Sequence, residues 1–254
     1  GDERLLIAEL GIHGGVAPVE LLVVGESTTG AENNALDNLF ARALVFAPAQ
    51  GMVQLPAYLA NLVQQHLDDE TRTLLHLRVA HRLEERGQHI DAIHHWIAGG
   101  RTDAGIWLWF RHRQSEINRG SATRALSLLS SIEPRRLQSG KDRVALQIAL
   151  AELQIHLGLI DDAQKSVEGE PSDSSPSVRA YLAHLGGEIA EDQGNVDRAL
   201  NLYRESIDML VGDVERRLGD AHARIGHILH SRKINLDEAR KQAVIFRFRA
   251  ESSY

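Results

Sequence analysis

The stretch AYLAHLGGEIAEDQGNVDRALNLYRESIDML, residues 180–210, contains the pattern that decides the fold. In it a glycine is followed, after four residues, by an alanine, and the same pattern recurs through the last two thirds of the chain. The alanines are 33, 38, 36 and 40 residues apart, a period typical of a helical solenoid with two helices per repeat. The copies are Gly87 with Ala92, Gly120 with Ala125, Gly158 with Ala163, Gly194 with Ala199, and a fifth in which Ala239 is kept and Ile234 replaces the glycine.

The two residues of the pattern have different tasks. A glycine can take the left-handed conformation that ends the first helix of a pair, and an alanine lets the second helix pack closely on the first. In the quoted stretch, Gly187 takes a small position in the first helix and Tyr203 a bulky one in the second. The predicted helix pairs are 70–86 with 89–99, 103–119 with 121–131, 140–157 with 160–168, 177–193 with 196–210, and 214–231 with 235–250.

The residues before the repeats have another organisation. They predict three short helices at 3–13, 16–24 and 35–43, the second with Pro18 in its first turn, followed by two short strands at 44–46 and 52–54. This order is that of a winged helix, and a generic helical cap to the repeats is the alternative. We therefore expect a mainly α protein, with a winged-helix domain at 1–68 and a TPR-like α-α superhelix of about five helix pairs at 69–254.

The composition of the chain excludes several classes of protein. Of the 254 residues 43% are hydrophobic, which is ample for a core, and none is cysteine. The lack of cysteine excludes a disulfide scaffold and thiolate metal ligands and favours the reducing cytoplasm. No apolar run approaches the ~20 residues of a membrane span, so we predict no membrane segment.

Negative charge is concentrated in the first 70 residues. These residues include two arginines and ten carboxylates, which gives a net charge of −8, whereas the whole chain carries −7. Arg42 is the one cation of the candidate third helix. Because DNA binding needs clustered Lys and Arg against the phosphates, we expect no direct DNA binding by residues 1–70.

Motifs of catalysis and cofactor binding are missing. The sequence has no Gly-rich phosphate loop, no Gly-x-Ser-x-Gly elbow and no His-Glu-x-x-His pair, so we predict no catalytic, cofactor-binding or metal-binding residues. Trp107 and Trp109 are candidates for a ligand- or partner-binding groove, with a core position as the alternative. The thirteen histidines do not show a convincing metal-ligand spacing, although many crowd the first repeats and the last: His76, His81, His89, His94, His95, His112, His222, His227 and His230.

The repeats resemble the tetratricopeptide repeat, most closely at 180–210 and next at Ala80, Gly87, Ala92 and Trp96. A wider resemblance covers nearly the whole chain. The stretches NALDNLFARALVFAPAQGMVQLPAYLANLVQQHL (34–67), LLHLRVAHRLEERGQHIDAIHHWIAGGRTDAGIWLW (74–109) and SLLSSIEPRRLQSGKDRVALQIALAELQIHLGLIDDA (127–163) are similar to STAND signalling ATPases, particularly large LuxR-type regulators related to the maltose-responsive activator.

That resemblance implies a function. Such proteins place a nucleotide-binding module before a winged helix and a helical sensor array, and often an output domain after it. We therefore expect a non-enzymatic regulatory and sensor region of a STAND-type signalling or transcription regulator, whose array binds a protein or a small-molecule effector. Its winged helix would hold the upstream nucleotide-binding module, absent from this sequence, in an inactive state. The alternative is a free-standing TPR scaffold that docks peptides or proteins.

Overall fold

A computed structural model describes residues 2–22, 31–169 and 175–209 of the chain. Helices dominate these residues, which confirms the expected mainly α class. The chain divides into two compact units, Gly1–Glu116 and Ile117–Tyr254. The domain division at residues 68 and 69 stays a prediction. Within the described residues, no helix combines the length and the apolar character that a membrane span requires.

In the described residues of the first unit, a segment that contains both helices and short strands is followed by helices alone. Its 3₁₀ turn, Val19–Leu21, follows the first strand directly. The last helix, α6, ends two residues beyond Glu116. The elements are α1 (Asp2–Ile12), β1 (Val16–Pro18), α2 (Ala31–Ala41), β2 (Met52–Gln54), α3 (Ala57–His66), α4 (Asp69–Glu85), α5 (His89–Ala98) and α6 (Thr102–Asn118).

The predicted helix at 16–24 is wrong for Val16–Pro18, whereas Val19–Leu21 forms a 3₁₀ helix. Residues Val16–Pro18 form β1, which pairs antiparallel with β2 in the register Val16 to Gln54, Ala17 to Val53 and Pro18 to Met52. Pro18 favours extended backbone only at Ala17, and the pairing with β2 holds all three residues as a strand. Residues 23 and 24 lie outside the described residues. Strand 52–54 is as predicted, whereas 44–46 contributes only a bridge from Phe46 to Gln54. The winged-helix assignment of this segment stays a prediction.

Helix α1 is the centre of the first hydrophobic core. Leu6 and Leu10 are buried together with Leu39 of α2 and Val53 of β2, and α1 also packs against α3 and α4. The start of α4 is fixed locally, because the Asp68 carboxylate accepts a hydrogen bond from the Thr71 backbone N–H at 2.8 Å. This start lies one residue before that of the helix predicted at 70–86.

Arg82 of α4 and Arg86, which directly follows α4, bind the first 22 residues. Arg82 lies 3.6 Å from the fully buried carboxylate of Glu9 and donates to the Leu21 carbonyl at 3.0 Å. Arg86 donates to the Glu20 carbonyl at 2.7 Å and to the Glu20 carboxylate at 3.1 Å. Because a buried carboxylate without its cation would be costly, the Glu9–Arg82 pair fixes α1 on α4.

The described residues of the second unit form helices that pack on one another in chain order. Helix α7 packs against α8, α8 against α9, both α8 and α9 against α10, and α10 against α11. A 3₁₀ turn, Pro134–Arg136, lies between the first two. All described repeat helices end within one residue of their predicted bounds, whereas the predicted pair at 214–231 and 235–250, with Ile234 and Ala239, lies outside the described residues. The elements are α7 (Ala122–Ser130), α8 (Gly140–His156), α9 (Ile160–Glu168), α10 (Pro176–Asp192) and α11 (Val196–Met209).

Candidate functional site

The four glycines of the repeated pattern all have left-handed backbone. Their φ angles are 71° at Gly87, 80° at Gly120, 71° at Gly158 and 72° at Gly194. At three of them the next residue donates its N–H to the carbonyl five residues earlier, for example from Gln88 to Leu83 at 2.9 Å. That bond satisfies a carbonyl at the helix end, and a side chain on the glycine would strain the turn.

The alanines of the pattern lie in the packed interior. Ala92, Ala125, Ala163 and Ala199 each have 0% exposure. In helix α10, a Cβ atom built on Gly187 would come within 2.4 Å of Tyr203 Cε1. This spacing leaves no room for any side chain larger than hydrogen at Gly187. These residues shape the helix pairs and present no chemical group for catalysis.

The two candidate tryptophans differ in exposure. Trp109 is 1% exposed and belongs to the core, whereas Trp107 is 45% exposed. The Trp107 ring lies 5.7 Å from that of Phe110, and the Arg113 guanidinium lies 5.2 Å from the centre of the Phe110 ring. Trp107 is therefore the one of the pair that can contact a partner, through a surface of aromatic and cationic groups.

Four histidines meet in the first unit, where α1, α4 and α5 come together. The Nδ1 atoms of His76 and His95 are 2.9 Å apart in a hydrogen bond. The His95 ring lies 5.1 Å from that of His94 and 5.6 Å from that of His13. One imidazole donates and the other accepts in the His76–His95 bond, so at least the acceptor must be neutral. We call these four residues the histidine cluster.

Burial keeps His13, His76 and His95 of the histidine cluster uncharged near neutral pH. Burial, and then the neighbouring histidines, lowers the pKa of His95 to about 3. Burial, His94, Arg72 and His13 lower the pKa of His76 to about 4. Burial is also the main cause of the lowered pKa of His13. These three neutral rings can each donate one hydrogen bond and accept one.

A pocket of about 470 Å³ opens beside the histidine cluster. Arg72, which lines it, donates to the Leu67 carbonyl at 2.8 Å and to the Gln64 carbonyl at 3.0 Å, and its other terminal nitrogen contacts Asp69 at 2.8 Å. Gln64 in turn donates to the Gly11 carbonyl at 2.6 Å. The pocket is lined by Ile12, Asn61, Gln64, Gln65, Arg72, His76 and His94.

Other histidines are paired with carboxylates. His89 Nδ1 lies 3.0 Å from the buried Glu116 carboxylate, and its ring stacks on that of His112 at 3.6 Å. In the second unit, His184 Nε2 lies 3.6 Å from Glu188. Within the described ranges, no group of three or more His, Asp or Glu residues is placed to hold a metal ion. His222, His227 and His230 lie outside those ranges.

The structure forms a site, the histidine cluster with its pocket, that the sequence did not predict. Of the cluster, His76, His94 and His95 belong to the crowded histidines of the first repeats, but His13 lies far earlier in the chain. Only the packing of α1 on α4 brings it there, and a single sequence contains no signal of that contact. The pocket likewise depends on α3, which no repeat pattern includes.

Comparison with solved structures gives a structural likeness. No protein-family model and no curated protein matches the chain. The chain is similar to the solved structure of a Signal Transduction ATPase with Numerous Domains (STAND) protein with a tetratricopeptide repeat sensor from Pyrococcus horikoshii, with a TM-score of 0.50 and 12% sequence identity. The likeness covers 100% of this chain but 45% of that chain, so this chain spans less than half the length of the similar protein. At this identity the likeness shows the fold alone, a STAND- and TPR-like arrangement of helices.

Proposed function

We propose that the chain is a non-catalytic regulatory and sensor region of a STAND-type ATPase, and that its TPR-like helix pairs bind a protein or a small effector. The observation that supports this function is the likeness, along the full length of the chain, to a protein described as a STAND ATPase with a tetratricopeptide repeat sensor. The resemblance of residues 34–67, 74–109 and 127–163 to such regulators points the same way.

The mechanism would use the contacts between α4 and the first 22 residues. The Arg82–Glu9 and Arg86–Glu20 contacts join the first TPR-like pair to the segment expected to hold the nucleotide-binding module. If effector binding changed the position of α4, that segment would move with the helix. Glu9 is fully buried, so water cannot replace Arg82 as the partner of its carboxylate. Effector binding would in this way change the activity of the module.

An exposed aromatic surface is the candidate contact for a protein effector. Trp107 and Phe110 lie on α6 with Arg113, and large aromatic groups and arginine dominate binding energy at protein interfaces.

DNA is the less favoured partner of residues 1–70. Arg42, the one cation near the end of α2, pairs with Glu3 at 2.9 Å, and the segment carries −8. We expect no binding of labelled random duplex in a fluorescence-anisotropy titration at low salt, where electrostatic attraction is strongest.

The test uses the complete protein from which the sequence comes. We expect a phosphate loop upstream of Gly1, ATP binding by the complete protein, and neither tight ATP binding nor hydrolysis by residues 1–254 alone. The double variant Arg82→Met, Arg86→Met should change the ATPase rate of the complete protein, because it cuts the contacts with Glu9 and Glu20. Arg135→Met, an exposed arginine of a 3₁₀ turn, is the matched control and should leave the rate unchanged.

A free-standing TPR scaffold is the second candidate. It is favoured by the exposure of Trp107 and by the helix pairs themselves, since such repeats commonly bind other proteins. A complete reading frame without a phosphate loop, or a complete protein that does not bind ATP, would exclude the STAND proposal and leave the scaffold.

A further inference from the structure

The pocket beside the histidine cluster is lined by hydrogen-bond donors. Asn61 and Gln65 present exposed side-chain amide groups on α3. Neither side chain makes a hydrogen bond within the described part of the chain. Arg72 contributes a positive charge, and His76 and His94 contribute ring nitrogens. Among the described residues, no carboxylate lines the pocket. A pocket lining with one guanidinium, several N–H donors and no carboxylate is complementary to an anion.

The size of the pocket indicates the class of ligand. A volume of about 470 Å³ lies within the range of roughly 300–1,000 Å³ that small-molecule pockets occupy. Ile12 supplies an apolar wall on one side. A bare inorganic ion would fill little of this space, whereas a small organic molecule with a charged end would fill it.

We propose that this pocket binds a small organic molecule through a carboxylate or phosphate group, held by Arg72, His76 and His94 and by the amides of Asn61 and Gln65, and that the pocket takes up a proton as the ligand binds. Such binding needs no nucleotide-binding module and no partner on the TPR-like array. Its failure would therefore leave the proposed function untouched.

Proton uptake follows from the surroundings of His76. In the free protein the pKa of His76 is lowered to about 4, by burial first and then by His94, Arg72 and His13. An anion beside the ring favours the imidazolium and raises that pKa. A group whose pKa rises on binding makes affinity increase as pH falls towards the pKa of the bound state.

The other charged groups around the histidine cluster are of both signs, and they shift the pKa of His13 in opposite directions. From α1 comes Glu9, which pairs with Arg82 of α4 at 3.6 Å. Arg82 lowers the pKa of His13, and Asp91 of α5 raises it. Asp69 contacts Arg72 from the solvent side, with its side chain 96% exposed. None of these acidic groups lines the pocket among the described residues, so none of them neutralises, from within the lining, a proton bound by His76.

Calorimetric titration with sodium sulfate tests the proposal, because sulfate keeps its charge between pH 7.5 and 5.5. We expect saturable binding that is tighter at pH 5.5. Asn61→Asp and Gln65→Glu keep the shape of two exposed lining residues but add a negative charge. We expect each to weaken sulfate binding by about tenfold or more, equivalent to about 1.4 kcal/mol. Asn201→Asp, the same change at an exposed position of α11, is the matched control and should bind as the parent does.

Further titrations at pH 7.5 distinguish the ligand groups. Glycerol 3-phosphate and succinate carry the two anionic groups, and glycerol is the neutral control. Tighter binding of one anion identifies the group that the pocket prefers. If sulfate and both organic anions give no saturable heat, or if Asn61→Asp and Gln65→Glu bind sulfate as the parent does, the pocket is not an anion site. An affinity for sulfate that does not change between pH 7.5 and 5.5 would overturn the proton uptake.

Discussion

The helix pairs α4/α5 and α10/α11 use the same polar contact in different surroundings. In α4/α5 the Trp96 Nε1–H donates to the Glu84 carboxylate at 3.1 Å, and in α10/α11 the Tyr203 hydroxyl donates to the Glu191 carboxylate at 3.0 Å. In both, the donor lies twelve residues after the acceptor. A buried aromatic ring in each pair therefore has its polar atom satisfied, as burial requires.

The pairs differ in how the aromatic ring is accommodated. At the position of α4 equivalent to Gly187 stands Ala80, which is fully buried. The Trp96 ring lies 4.7 Å from that of His81, in an edge-to-face arrangement. The Tyr203 ring instead lies directly over Gly187, where there is no room for a Cβ atom. The repeat thus tolerates either aromatic residue, but in α10/α11 only with a glycine beneath it.

The largest effect should come from filling that space. Gly187→Ala would place a Cβ atom 2.4 Å from Tyr203 Cε1, whereas Gly186→Ala on the same helix would meet Leu202 Cδ1 at 3.4 Å. Both changes gain helix propensity, so their difference isolates the overpacking. We expect Gly187→Ala to be less stable than Gly186→Ala by about 1–3 kcal/mol in chemical denaturation. Equal stabilities would mean that the Tyr203 ring can move away at no cost.

A smaller effect should follow from removing the Tyr203 hydroxyl. Tyr203→Phe keeps the ring over Gly187 but removes the donor to Glu191. We expect a loss of about 1 kcal/mol in the free energy of unfolding, which is the order of the net contribution of a typical intramolecular hydrogen bond. Tyr58→Phe is the control, because Tyr58 is 71% exposed and its hydroxyl is solvated. If both variants lose the same amount, the Tyr203–Glu191 bond does not stabilise the pair.

The third expected effect is acid sensitivity in the first unit. The pKa values of His76 and His95 in the folded protein, about 4 and about 3, lie below the ordinary value of 6.5. Protons therefore bind the unfolded chain first, and stability that is fully present above pH 6.5 is lost as pH falls towards 4 and 3. In chloride buffers, we expect faster hydrogen exchange in α4 and α5 at pH 5 than at pH 7, after correction for intrinsic rates.

The helix pair α10/α11 lacks a comparable cluster of histidines among its described residues and serves as the internal reference. His95→Gln should reduce the acid sensitivity of α4 and α5, because it removes one of the groups that resist protonation. Acid sensitivity that is equal in both helix pairs, or unchanged by His95→Gln, would show that the histidine cluster is not its cause.

The sequence by itself determined the features that depend on a few neighbouring residues. Left-handed glycines such as Gly87 and Gly194 end helices through bonds within one turn, and Asp68 caps α4 through Thr71. Buried alanines such as Ala199 follow from the same repeat. These local signals placed the described repeat helices within one residue of their observed bounds.

Only the tertiary structure decided the features that join distant parts of the chain. Val16–Pro18 became a strand because β2 offers it a pairing partner more than thirty residues later. Trp107 and Trp109 are two residues apart on one helix, and packing alone made one exposed and the other buried. His13 reached His95 through the packing of α1 on α4. Such contacts depend on which surfaces are brought together in space, and this information is spread over the whole chain and is not contained in any single motif.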